Sequence, residues 1–424
     1  VWLKDFVPIL ILLLALPSHQ TVGEETADEG AGEPPANARP EVIPPDQFKP
    51  DQLPVADLHV AQPDNRLLSP WLNKDNGVTV TPIYYGELFT NAHGGIATNG
   101  STQYEGLLDL SLDFDFEKMD LAIPGRAALL FQNTHGRGLD QFVGATQLIS
   151  SIDSYDNITQ ISELWWELDF FDEAVTFRIG RQDISTEFIT METAGDFINS
   201  AFGLSPSAGL PSFPAPSPAL IMMTDLSDSI TFKAGLWDAY RSNERGIFSQ
   251  NGSVLYIAEF EYRYTTARNG LPGKFSAGVT YETPGEVPAG AIPRSFGYYL
   301  QIEQMLYREA DSTDDNPQGL SVFAQHYPTE TNGNSPFPEI PQDGLAGFAY
   351  TGLLRGRDED VIGAGIGWVE LNQGGTDEEL MVEVFYKAQI NDNLSIQPDL
   401  QYINTPSGLY PSALAAGIRF QLDL

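Results

Sequence analysis

The sequence predicts an all-β chain: a transmembrane antiparallel β-barrel of about sixteen strands, with short turns at one rim and long loops at the other. Three observations carry that prediction. Apolar and polar residues alternate with period two in stretch after stretch, the connections between stretches swing between long and short, and no apolar run is long enough to cross a bilayer as a helix. The alternation is plainest in YEGLLDLSLDFDFE, residues 104–117. Tyr104, Gly106, Leu108, Leu110, Leu112, Phe114 and Phe116 share one face, while Glu105, Asp109, Asp113, Asp115 and Glu117 gather on the other with Leu107 and Ser111. Such a strand is greasy on one side and acidic on the other. In a barrel, lipid covers the greasy face and water the acidic one. Because lipid tolerates no unpaired strand edge, the sheet must close on itself.

The elements follow in chain order. Residues 1–22 contain one lysine before an apolar run from Phe6 to Leu16, too short to span and of the length of a secretory h-region. They read as a signal peptide. Residues 23–76, with EETADEGAGEPPANARPEVIPPDQFKP near their start, are acidic, rich in proline and poor in bulky apolar residues, the composition of an extended linker. Residues 77–424 form the expected barrel. Within it ISELWWELDF sets Leu164, Trp166, Leu168 and Phe170 against Glu163, Trp165, Glu167 and Asp169. SVLYIAEFEYRY sets Tyr256, Phe260, Tyr262 and Tyr264 against Glu259, Glu261 and Arg263, and ALAAGIRFQLDL sets Leu414, Ile418, Phe420 and Leu422 against Arg419, Gln421 and Asp423.

The connections repeat the message. A long stretch follows the third strand, only FDE the fourth, the longest insert (Asp183 to Pro218) the fifth, and LSDS the sixth. An up-and-down barrel with one rim in the periplasm produces this rhythm. Two connections fit it less well: EADSTDDNPQG is long for a turn and NQGGTDE short for a loop. A soluble β-sandwich or propeller would also alternate, but no blade-length repeat is present and neither explains the rhythm of the loops.

Composition narrows the function classes. The chain of 424 residues carries 58 acids against 22 bases, a formal net charge of −36, which argues against nucleic acid and against adsorption to an anionic membrane surface. With no cysteine, disulfides, thiolate metal sites and cysteine nucleophiles are excluded. Asp109, Asp113 and Asp115 share one face of one strand among many other acids, as a wet wall requires and a glycosidase pair does not. The glycines of GAGIG (Gly363 to Gly367) alternate with no helix after them, so they suit close strand packing rather than a dinucleotide. DSTDDN, Asp311 to Asn316, lacks the glycine and distal glutamate of an EF-hand loop. No histidine pair has ligand spacing and no nucleophile elbow appears. These readings name no enzyme, no metal and no cofactor.

The longest insert differs from the other connections. It leaves a strand through Arg178 and Arg181, then mixes phenylalanines, small residues, Asn199 and many prolines, the composition of a folded rather than a flexible segment. Folded into the barrel it would narrow a pore with aromatic faces and hydrogen-bonding groups, which suits sugars. The alternative is an extracellular lid without solute contact.

At these residues the sequence resembles a known family. ELWWELDFFDEAVTFRIGRQDISTEF, followed by DFINSAFG, is similar to the core signature of the carbohydrate-selective porins of OprB type, and VEVFYKAQINDNLSIQPDLQYINTPSG with AAGIRFQLDL resembles that family's closing strands. The resemblance runs from about Gly86 to the end of the sequence. It implies a sixteen-stranded outer-membrane barrel that passes sugars by facilitated diffusion, with Gly180, Arg181, Asp183, Phe188, Phe197, Asn199, Phe202 and Gly203 as marked positions. Side-chain parity nominates Glu163, Trp165, Glu167 and Arg178 as inward groups that hydrogen-bond or stack with solute. The resemblance adds Arg181, Asp183, Asn199 and Phe202. Arg181 shares parity with Phe177 and Ile179, so its inward position depends on the strand ending or twisting there. The expected partners are mono- or oligosaccharides and outer-membrane lipid, with no nucleic acid and with monomer and trimer both open. A general cation-favouring porin is the alternative function, on the strength of the acidic charge.

Overall fold

The structure is a computed structural model and describes residues 76–154, 156–171, 174–239, 254–283, 294–310, 312–313, 317–331, 340–372 and 376–424. The expected signal peptide (1–22), nearly all of the expected linker (23–76) and most of the acidic stretch 311–316 lie outside the described residues.

Sixteen strands follow one another around a closed barrel. They are β1 (Val78–His93), β2 (Gln103–Asp115), β3 (Arg126–Gly136), β4 (Thr159–Phe170), β5 (Val175–Gln182), β6 (Ser217–Ser227), β7 (Ile230–Asp238) and β8 (Val254–Thr265). The second half is β9 (Pro272–Glu282), β10 (Arg294–Arg308), β11 (Gly319–Thr331), β12 (Gln342–Thr351), β13 (Val361–Glu370), β14 (Glu378–Asn391), β15 (Leu394–Asn404) and β16 (Ala413–Asp423). Each strand pairs with its sequence neighbours, and β16 returns antiparallel to β1, so no edge is left.

Side-chain parity falls as the alternation requires. Trp166 is 36% exposed on the outer face while its neighbour Trp165 is 6% exposed inside. In β8 Tyr256, Phe260 and Tyr262 look outward, whereas Leu255, Ile257, Glu259 and Glu261 are buried inside. Short connections such as 228–229 and 392–393 gather at one rim, with the second loop (137–158) and third loop (183–216) at the other. EADSTDDNPQG, long for a turn, lies between β10 and β11 at the turn rim, and NQGGTDE, short for a loop, lies between β13 and β14 at the loop rim.

The hydrophobic core sits inside the barrel. Both long loops fold inward, so the third loop is not an external lid. Leu139, Val143 and Ile149 of the second loop join Met191, Phe197, Ile198 and Phe202 of the third against Phe323, Leu345, Met381, Phe385 and Ile403 of the wall. A second cluster packs Ile184, Phe188, Ile189 and Leu210 against Ile221, Trp237, Leu255, Ile257, Tyr299 and Tyr327. The glycines of β13 make room for the first cluster. A Cβ at Gly365 would stand 2.6 Å from Phe202 Cζ and 2.8 Å from Phe197 Cε1, and one at Gly363 would overlap Phe385 Cε1.

Inward carboxylates then hold the loops by their backbone. Glu383 of β14 accepts from the N–H groups of Ile198 at 2.7 Å and Asn199 at 3.0 Å. Glu379 accepts from those of Thr146 and Gln147, both at 2.8 Å, and of Ser407 at 2.6 Å. Asp343 of β12 accepts from the N–H of Ser207 at 2.7 Å, Glu303 of β10 from that of Thr193 at 2.6 Å, and Glu259 of β8 from that of Ile189 at 3.2 Å. Buried loop backbone needs such partners, and the inward carboxyl oxygens supply them.

Candidate functional site

The inserted loops leave an opening on the other side of the barrel. A cavity of about 310 Å³ lies between loop residues 183–192 and the inner faces of β1–β5 and β7–β9. A β-bulge in β4 shapes its upper wall. Leu130 pairs with Glu163 and Phe131 with Ile161, so Ser162 is the extra residue, and Ser162 joins Glu163 in lining the cavity.

Trp165 and Arg178 are the centre of this wall. The Trp165 indole Nε1 donates to Glu163 at 3.0 Å, and the Arg178 guanidinium carbon lies 4.3 Å from the centroid of the Trp165 ring, a cation–π arrangement. Arg178 Nε donates to Glu167 at 2.7 Å, and its Nη1 donates to Glu187 of the loop at 2.7 Å. Glu167 also binds Arg126. Alternating charges continue along the turn-ward side. Lys233 Nζ donates to the Glu187 carbonyl at 2.9 Å and lies 3.4 Å from Glu261, which accepts from Arg263 Nε at 2.6 Å. Arg263 Nη2 donates to Glu192 at 2.9 Å, and Lys274 bridges Glu192 at 3.3 Å and Glu303 at 2.7 Å. Facing this chain across β1–β3 are Tyr85, Asp109 and Asp113, with Gln132 Nε2 donating to Asp109 at 3.0 Å.

The loop's own acids titrate in opposite directions. Burial pushes the Asp183 carboxyl up, although the Ser185 hydroxyl and the N–H groups of Ser185 and Phe213 pull the other way. Burial would raise Glu192 too, but Lys274 and Arg263 outweigh it and hold that carboxyl below the usual range.

The eight nominated residues separate into four groups. Glu163, Trp165, Arg178 and Asp183 line the opening. Glu167 is 0% exposed behind Arg178, so it positions that guanidinium and does not meet the pore. Arg181 pairs with Leu164 in the ladder and lies off the cavity lining; its Nη2 reaches Gln160 Oε1 at 3.4 Å. Asn199 and Phe202 lie inside the loop core instead of at the opening. Asn199 caps the short helix α1 (Ser200–Gly203) by accepting from the Ala201 N–H at 3.0 Å, and donates to Gln147 O at 3.2 Å and Gln401 Oε1 at 3.0 Å. Phe202 packs on Phe197 with ring centroids 4.2 Å apart. Both therefore shape the loop from within.

Lys233, Lys274 and Tyr85 line the cavity without having been singled out, as do Glu187 and Glu192. Strand parity could have found the first two, since ITFKAGLWD and PGKFSAGVTYE place each lysine on the inward face. The two loop glutamates have no periodic signal.

Comparison with known proteins adds the family. Porin B of Pseudomonas aeruginosa is 24% identical over 404 residues, covering 80% of this chain and 86% of that protein. A high-pH structure of Pseudomonas putida OprB matches with a TM-score of 0.72 at 20% identity, covering 83% of this chain and 95% of that one. A low-pH structure of the same protein matches with a TM-score of 0.56 at 19% identity, covering 83% and 94%. At these identities the structural likeness speaks for the fold. The family model described as carbohydrate-selective porin, OprB family, matches residues 99–424, which takes in every strand after β1. The chain belongs to the OprB family of carbohydrate-selective porins, channels of the outer membrane.

Proposed function

We propose that this porin passes neutral mono- or oligosaccharides by facilitated diffusion and holds them weakly in the opening beside Trp165. The observation that carries this reading is the wall constellation of Glu163, Trp165 and Arg178 opposite Tyr85 and Asp109 in one cavity. The rings of Trp165 and Tyr85 offer apolar surface to sugar C–H groups, while the carboxylates and the guanidinium serve the hydroxyls. Each cation named along the opening is paired with a carboxylate, so a neutral polyol binds without stripping a lone ion of its partner. The carboxylates act here as hydrogen-bond acceptors and the protein breaks no bond in its solute. Lipid covers the outward apolar face.

One observation favours cations among the small ions. Asp109, Asp113, Glu163, Asp183, Glu187, Glu192 and Glu261 outnumber Arg178, Lys233, Arg263 and Lys274 around the opening. Reconstitution in a planar bilayer separates the two readings. Conductance that falls saturably as a neutral sugar is titrated supports the internal site. Conductance indifferent to every sugar, with strong cation preference in the reversal potential, would leave only a general diffusion porin.

A further inference from the structure

A second cavity, of about 340 Å³, lies on the turn side of the third loop. Its wall comes from the turn-proximal ends of the strands, through Gln304, Met305, Ser321, Ala349, Thr351 and Val361. Loop residues Glu192, Thr193 and Asp196 close it from above. In an outer-membrane barrel the turn rim faces the periplasm. This recess is therefore met after the Trp165 opening by a solute moving inward.

The two cavities share Glu192, Arg263 and Lys274. These three form a knot in which Glu192 Oε1 accepts from Arg263 Nη2 at 2.9 Å and from Lys274 Nζ at 3.3 Å. The knot leaves polar atoms for a ligand: among the described residues, Glu192 Oε2 and Arg263 Nη1 take no hydrogen bond. Asp196 Oδ1 accepts from Lys387 Nζ at 2.7 Å, and its Oδ2 is likewise without a partner among those residues. Met305, Ala349 and Val361 supply an apolar floor. An apolar floor with a few convergent polar groups is the make-up of a small-molecule site, and the volume falls at the lower end of such sites.

The geometry points to a second solute subsite in this recess, taking the same class of polyhydroxylated solute and separated from the Trp165 site by the Glu192–Arg263–Lys274 knot. The inference rests on the carbohydrate-passing reading. Two weak adjacent sites suit a channel, because a solute must bind well enough to enter and loosely enough to leave. Sugar exchanges hydroxyl contacts from one side of the knot to the other, and the knot's ion pairs stay intact during the transfer.

The test uses current noise of the reconstituted channel with D-glucose added to one face at a time. Orientation is assigned by a bulky thiol reagent on Thr98→Cys, an exposed position in the loop between β1 and β2 of a chain that has no other cysteine. Wild type is expected to show two glucose-dependent relaxations. Ala349→Leu and Thr351→Leu, each filling the recess from the wall, should abolish the relaxation reached first from the periplasmic face, or raise its half-saturating glucose by about fivefold to tenfold. Trp165→Ala should act on the other relaxation. Two variants, with open-channel conductance as proof of a folded barrel, keep a single misfolding substitution from deciding the outcome. One relaxation in wild type, or two that both recess variants leave in place, overturns the second subsite while the carbohydrate reading stands. No glucose-dependent noise from either face overturns both.

Discussion

Glu167 and Glu383 are both inward glutamates with no exposed surface, one on β4 and one on β14, and their surroundings differ completely. Glu383 receives two peptide N–H groups of the third loop, while Glu167 receives the guanidinium groups of Arg126 and Arg178. The first fastens a plug to the wall and the second orients a pore-lining cation. At the level of the loop core, one side of the barrel, β10 to β16, is thus occupied by loop and closed by hydrophobic packing, with the second recess on its turn side. The opposite side, β1 to β5 with β7 to β9, keeps its charges along a water path. The same alternating pattern serves both sides, and what distinguishes them is the partner brought by a distant part of the chain.

Glu383→Leu should have the largest effect. It orphans two buried N–H donors at about 1–3 kcal/mol each and lets the loop leave the wall. The expected result is a larger single-channel conductance and a lower temperature for loss of the folded, heat-modifiable band. A variant with wild-type conductance would show that the hydrophobic cluster alone holds the loop. On the water-path side, Arg178→Ala removes the group stacked on Trp165 and paired with Glu187. The half-blocking sugar concentration should rise about tenfold in a barrel that still assembles. Unchanged block in the folded variant removes Arg178 from the solute path.

Trp165→Ala and Trp166→Ala, on opposite faces of β4, should differ in effect. Losing the inner ring should weaken sugar block by about threefold to fivefold, a loss of stacking contact worth on the order of 1 kcal/mol. Losing the outer ring, whose Nε1 donates to Pro124 O, should leave block alone. Equal effects would mean that the assigned faces are wrong.

The smallest effect is expected from pH. Asp183 has its folded-state pKa raised, so its ionised form costs stability, and that cost sets in as pH rises from the ordinary carboxylate value, about 3.9, through the raised one. Glu192 is depressed, so its pairing contributes stability above about pH 4.3 and loses it only as pH falls through the lower value. On acidification Asp183 takes up its proton at a higher pH than Glu192, so of these two carboxyls it contributes the earlier change in sugar block. Asp183→Asn should delete the first step and Glu192→Gln the second. A first step that survives Asp183→Asn would assign it elsewhere.

The wall was legible in the sequence because lipid enforces period two: Trp165 and Trp166 can be assigned to opposite faces from their neighbours alone. The strand count and the rhythm of the loops were legible for the same reason. The interior was not. Glu379 meets Thr146 and Gln147 more than two hundred residues away, and backbone N–H groups leave no mark on composition. The β13 glycines announced close packing without naming Phe197 and Phe202 as what they accommodate. The bulge at Ser162, which brings two consecutive residues to the cavity, also had no local signal. Asn199 and Phe202 were nominated through the family resemblance, and their polar and aromatic contacts turn out to serve the loop's own fold.

At the level of their core the loops close one side of the barrel and leave the water path on the other. Single cysteines test it directly, since the chain has none of its own. Ser111→Cys lies on the opening, whereas Ala415→Cys on β16 lies behind the loop core with no exposed surface. With a charged methanethiosulfonate reagent applied during recording, a stepwise current drop is expected for Ser111→Cys and no change for Ala415→Cys. Equally fast modification at both positions would contradict it.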